Sequence, residues 1–119
     1  MDTSSSFSSA ALPELFSKMT LAASSDDFER VLMLSNEILT SSPTDARAAR
    51  QKITALIKLD RYAEALAFIH GSSFLEDTET LLERGFCLYK VGKCEEAKQV
   101  LDGGSGRAVD HVRAQIVMP

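Results

Sequence analysis

An all-α array of paired helices, wound into a right-handed superhelical solenoid, is the fold class that this 119-residue sequence predicts. The first observation is a repeated phrase: FERVLMLS, YAEALAFI and CEEAKQVL open at Phe28, Tyr62 and Cys94, each a bulky or thiol residue followed by charged or small residues and an apolar run. The second is the spacing. Phe28 to Tyr62 is 34 residues and Tyr62 to Cys94 is 32, and 34 is the period of the tetratricopeptide unit, a helix–turn–helix. The third is composition, with 45% hydrophobic residues, 6 Gly, 3 Pro and no Trp, which favours helices over turns. One such unit cannot cover its own apolar face and must stack on a neighbour.

Each element follows from local signals. Residues 1–11 are Ser-rich and carry too little apolar area to repay ordering, so they predict a flexible N-terminus. Pro13 suits an opening helical turn, and a first helix runs through Leu15, Phe16, Met19 and Ala22 or Ala23. Asp26 or Asp27 can accept from the free amides of a second helix, whose face is Phe28, Val31, Leu32, Ser35, Ile38 and Leu39 at three-and-four spacing. Pro43 forces its end, because a residue before proline is pushed out of the helical region.

Thr44 or Asp45 caps a third helix with Ala49, Ile53, Leu56, Ile57 and Leu59, and Asp60-Arg61 makes the turn. Tyr62, Ala65, Leu66, Phe68 and Ile69 form the fourth apolar face, which stops at His70-Gly71. Asp77 or Thr78 caps a fifth helix carrying Leu81, Leu82, Gly85, Phe86, Leu88 and Tyr89. Gly92 then turns the chain into a sixth, from about Cys94 to Leu101. Gly103 to Gly106 break the pattern, and Val109, Val112, Ile116 and Val117 predict a seventh helix that caps the third repeat. The domain is thus expected over residues 12–119, with repeats at about 12–45, 46–77 and 78–106 and a partial fourth at 107–119.

Within the repeats, Val31, Ala65 and Ala97 are small enough for paired helices to approach closely, and Gly85 does the same from the partner helix. The fit to the repeat consensus is partial: Met19 and Ile53 stand where it asks for Gly, and Lys18, Lys52 and Arg84 where it asks for Leu.

Charge narrows the function. The net charge of −4 argues against a nucleic-acid grip by this stretch itself, since phosphate contacts need clustered Lys and Arg. No apolar run reaches the ~18 residues needed to span a bilayer, and MDTSSSFSSAALPELF lacks the basic start of a secretory signal, so a soluble intracellular chain is expected. Cys87 and Cys94 read as free structural thiols, with no companion ligands for a metal. His70 precedes Gly71 at a helix end, and the acidic pairs Asp26-Asp27, Asp77-Glu79 and Glu95-Glu96 fall at helix starts, where carboxylates stabilise free amides. No constellation has the geometry for catalysis, so neither an enzyme nor a cofactor is expected.

The segments DDFERVLMLSNEILTSSPTD, ARQKITALIKLDRYAEALAFI and LLERGFCLYKVGKCEEAKQVL resemble the amino-terminal tetratricopeptide region of the seventy-two-kilodalton subunit of the signal recognition particle. Phe86-Cys87, Tyr89 and the turn into a helix of the form x-E-E-A-K carry most of the similarity, which covers about residues 26–117. The resemblance implies a cytosolic scaffold subunit, transiently at the endoplasmic reticulum, serving cotranslational targeting. It implies that the repeats hold the carboxyl-terminal part of the sixty-eight-kilodalton subunit, and that particle RNA is reached through the whole subunit and not this segment, with no membrane insertion. Because the family continues through a full fourth repeat, it also implies that this chain is a fragment or a shortened product.

The binding face follows from the array: first helices of successive repeats line the concave side. The middle unit then presents Arg47, Arg50, Thr54, Ile57 and Lys58, and the next Glu79, Leu82, Phe86, Tyr89 and Lys90. Such a strip suits a partner segment combining acidic residues with apolar anchors. The alternative reading is a free cochaperone or trafficking adaptor of the same fold. Repeats that clamp a terminal carboxylate place Lys and Asn one turn apart on this face, where Arg50 and Thr54 stand here, which gives that alternative weak support.

Overall fold

The computed structural model describes residues 11–76 and 79–103, which form six α-helices and no strand. The all-α expectation holds, and the helices follow one another in pairs joined by short turns. The chain divides between Asp60 and Arg61 into two compact units.

The first unit contains α1 (Leu12–Ser24), α2 (Phe28–Ser41) and α3 (Ala46–Lys58). Pro13 occupies the first turn of α1, where a missing N–H costs no hydrogen bond. Asp27 caps α2, accepting from the Arg30 amide at 3.3 Å, and Asp45 caps α3 more tightly, accepting from the Ala48 amide at 2.8 Å. α2 packs against both of the other helices. Leu15, Met19 and Ala22 from α1, Val31, Leu34 and Ile38 from α2, and Ala48 and Ala55 from α3 close the core. Removing a Leu- or Ile-sized side chain fully from water contributes about 1.5–3 kcal/mol before entropy is counted. Ser35 is buried in α2 without penalty, because its hydroxyl donates to the Leu32 carbonyl at 2.9 Å.

The second unit contains α4 (Tyr62–Gly71), α5 (Leu81–Lys90) and α6 (Cys94–Asp102). Its core joins Leu81 and Leu88 of α5 to Ala97 and Leu101 of α6, with Leu66, Leu82, Tyr89 and Val100 packed around them. Gly85 lies against Leu101 so closely that a β-carbon built there would sit 2.6 Å from its Cγ and Cδ2. The predicted role of Gly85 in close approach is thereby met. The exposed Glu64 takes two hydrogen bonds from the Arg61 guanidinium, at 2.6 and 3.0 Å, a pair that contributes little at the surface.

One backbone device recurs. Asp26, Asp60 and Gly92 take left-handed φ values of 58°, 61° and 91°, at the same offsets of 34 and 32 residues as the repeated phrase. After α1 the Asp27 amide donates to the Ala22 carbonyl and the Asp26 amide to that of Ala23. After α5 the Lys93 amide donates to Leu88 and the Gly92 amide to Tyr89. Both are the paired bonds of the Schellman C-cap. At Asp60 the amide donates to the Ile57 carbonyl in the corresponding position.

The fifth helix departs from expectation. It starts at Leu81 with Thr80 at its N-cap position and no side-chain cap bond; Asp77 and Thr78, the expected caps, lie outside the described residues. Glu79 therefore precedes the helix, and its carboxylate accepts from the Glu76 amide at 3.4 Å instead of facing outward from a helical turn. The Ser-rich residues 1–10, Gly104 to Gly106 and the expected seventh helix also lie outside the described residues.

Candidate functional site

α3 is built with two unlike faces. Ala48, Ala49, Ile53, Ala55 and Leu56 are buried, while Arg47, Arg50, Thr54 and Lys58 are exposed and Ile57 is half-buried. It carries four cations, Arg47, Arg50, Lys52 and Lys58, in a chain whose net charge is −4. Aromatic rings of the same unit lie against two of them. The Arg47 guanidinium carbon lies 4.8 Å from the centroid of Phe16 on α1, and Lys58 Nζ lies 5.9 Å from that of Phe28 on α2. Such contacts contribute about 0.5–1 kcal/mol at exposed sites and restrain otherwise mobile side chains.

Two shallow recesses meet at Arg47. One is lined by Pro13, Phe16, Ser17, Thr20 and Leu21 as well as Arg47, the other by Ala46, Arg50 and Gln51 with Arg47. Leu21 is 68% exposed at the first of these. The sequence reading missed both Phe16 and Leu21 as surface features, since Phe16 reads as part of the α1 stripe and Leu21 falls just off it.

In the second unit, α5 carries half-buried Leu82, Phe86 and Tyr89 and exposed Lys90. Leu82 and Tyr89 lean on the core of that unit. Phe86 meets Tyr62 of α4 edge to face, centroids 5.9 Å apart and planes at 72°. Lys90 Nζ sits 5.4 Å from the Phe86 centroid and 5.9 Å from that of Tyr89. The structure thus gathers the predicted aromatic residues into one patch with a cation on it, and adds Tyr62, which the sequence reading had placed only on an apolar face.

Chemistry elsewhere is sparse. Among the described residues no three His, Cys, Asp or Glu gather as metal ligands, and no described helix is long and apolar enough to cross a membrane. Cys87 is a buried free thiol whose pKa is pushed from 9.0 up to about 11, first by burial and then by the charge of Glu83. Cys94 is also free but exposed, because it opens the first turn of α6. The expectation of a structural thiol fits Cys87 alone. His70 is exposed in the last turn of α4.

Comparison with known proteins bears on this arrangement. A family model described as a TPR-like repeat, of the signal recognition particle type, matches residues 24–118. Subunit SRP72 of the signal recognition particle from Schistosoma mansoni is 25% identical over 108 residues, covering 89% of this chain and 15% of that protein. SRP72 from Dictyostelium discoideum is 24% identical over 97 residues, covering 82% of this chain and 14% of that protein. The chain therefore spans less than a sixth of the length of either relative.

Proposed function

The chain belongs to the family of TPR-like repeats of the signal recognition particle type, and from that premise we propose that it is a non-enzymatic scaffold segment whose first helices bind another polypeptide of the particle. The observation that carries the reading is the outward face of α3, where Arg47 stands beside exposed apolar surface at Leu21. Proteins use such mixed faces to steer a partner by charge and hold it by buried anchors. Arg47, Arg50, Thr54, Ile57 and Lys58 in the first unit, and Leu82, Phe86, Tyr89 and Lys90 in the second, form the contact set.

By resemblance the partner is the carboxyl-terminal part of the sixty-eight-kilodalton subunit, and the pair acts in cotranslational targeting from the cytoplasm to the endoplasmic reticulum. Particle RNA is then bound through the whole subunit. The test is co-precipitation of the purified sixty-eight-kilodalton subunit with the tagged chain, alongside chaperone tail peptides. Recovery of the subunit at micromolar concentrations is the expected outcome. Recovery of chaperone tails in its place would assign the chain to the adaptor class.

A further inference from the structure

A further recess, of about 450 Å³, opens between the end of α4 and the start of α5, within the second unit. Ile69 and Leu75, both buried, supply its apolar lining. The rest is polar: His70 and Ser73 are exposed, Arg84 is half-buried, and Ser72 and Thr80 are buried. Thr80 carries the argument. It is 3% exposed, yet its hydroxyl makes no cap bond to α5 and no hydrogen bond to any described residue. A buried polar group left without a partner is costly, and this one lines the recess. Because Thr80 holds the N-cap position without capping, the first amides of α5 also lack a side-chain acceptor. Those amides have no intrahelical partner and carry the positive end of the helix dipole.

We propose that this recess binds a terminal phosphate group, free or as a monoester, with the Thr80 hydroxyl, the opening amides of α5 and the Arg84 guanidinium donating to its oxygens. Arg84 has other contacts as well, but a guanidinium carries five N–H donors in a fork that suits phosphate. Ser72 is committed, its hydroxyl donating to the Phe68 carbonyl at 2.7 Å, whereas Ser73 and the His70 ring N–H stand at the mouth as further donors. The carboxylate next in sequence, that of Glu79, is turned onto the Glu76 amide at 3.4 Å, and among the described residues none lines the recess. A terminal phosphate is favoured over a nucleic-acid backbone for two reasons. It presents three oxygens to donors gathered at one place, where a phosphodiester presents two, and the described lining offers no aromatic ring on which a base could stack. The recess is larger than a phosphate group, so it admits the free ion or a small carrier such as a phosphorylated serine. Its lining shares no residue with the contact set of the polypeptide-binding reading, so the site goes beyond that reading and stands or falls apart from it.

The test is titration of the nitrogen-15-labelled full chain at neutral pH with inorganic phosphate, with N-acetyl-O-phosphoserine amide and with an oligouridine, read by amide chemical shifts. Thr80→Val removes the hydroxyl at nearly constant shape, Arg84→Gln removes the guanidinium, and Lys93→Gln makes the same charge change outside the recess. Far-UV circular dichroism checks that each variant is folded. The expected result is saturable shifts of the amides of residues 80–84 at millimolar phosphate or below, with affinity weakened at least about tenfold in Thr80→Val and in Arg84→Gln and unchanged in Lys93→Gln. Tighter binding of the phosphoserine probe than of inorganic phosphate makes a phosphorylated side chain the source; equal or weaker binding makes it the free ion. No saturable shift, shifts centred elsewhere in the chain, or full affinity in either recess variant would overturn the proposal. So would an oligouridine that moved the same amides where neither phosphate probe did, since the recess would then belong to a phosphodiester.

Discussion

Replacing Gly85 by Ala tests the helix spacing on which the second unit depends. The added methyl would stand 2.6 Å from Leu101 Cγ and Cδ2 and 3.1 Å from Cδ1, well inside the ~3.5–4.0 Å of a favourable carbon contact. Leu101 is 0% exposed and packed among Leu81, Leu88 and Ala97, so it has no solvent side into which to turn. Overpacking of a tight core costs about 1–3 kcal/mol, and the better helix propensity of Ala returns up to about 1 kcal/mol. With a branched carbon, not a flexible tip, on the line of approach, the clash wins and the net loss is about 1–2 kcal/mol. At ~4–8 °C per kcal/mol for a domain of this size, Tm by circular dichroism falls by several degrees. Leu101→Ala serves as the control: alone it leaves a cavity costing about 2–5 kcal/mol, and combined with Gly85→Ala it costs less than the sum, because the new methyl enters the vacated space. An unchanged or raised Tm for Gly85→Ala would refute the close approach of α5 and α6.

Other expectations follow from caps, turns and thiols. Asp45→Ala should lower the urea midpoint by an amount equivalent to about 1 kcal/mol, and Asp27→Ala by less, because the Asp45 cap bond is 2.8 Å and the Asp27 bond 3.3 Å. Gly92→Ala, at φ 91°, should cost about 1–2 kcal/mol by the same measurement. Iodoacetamide at pH 8 should label Cys94 in the folded chain and both cysteines in urea, read by mass spectrometry, since Cys87 is buried with its pKa at about 11. Because that folded value lies above the unfolded one near 9.0, the contribution of Cys87 to stability is complete below about pH 9 and disappears as pH climbs to about 11. The urea midpoint of the wild type should fall more over that interval than that of Cys87→Ala.

What could be read from the chain divides along a physical line. α2 was legible because a capping Asp27 and a terminating Pro43 bracket an apolar stripe, and all three signals are local. The start of α5 was misjudged because Asp77, Thr78 and Thr80 are all cap-type residues within a few positions, and the sequence does not say which backbone group each side chain will meet. Glu79 in fact folds back onto the Glu76 amide. The α3 cations were legible by spacing alone, but the contact of Arg47 with Phe16 was not. It joins residues on different helices, and periodicity gives the face of each helix without the pairing between faces. Tyr62 beside Phe86 escaped for the same reason. Residue type alone makes Cys94 read as structural, whereas it is exposed at the opening of α6.

The left-handed residues at 26, 60 and 92 give the chain interchangeable splice points. A segment cut from one such residue to the next carries a whole backbone cycle, leaving and entering through the same local geometry although Asp stands at two of the junctions and Gly at the third. Arrays could therefore be lengthened, shortened or reordered by recombining at those positions. Each chimera would inherit turns that already close correctly, leaving only the side chains at the new seam to be matched.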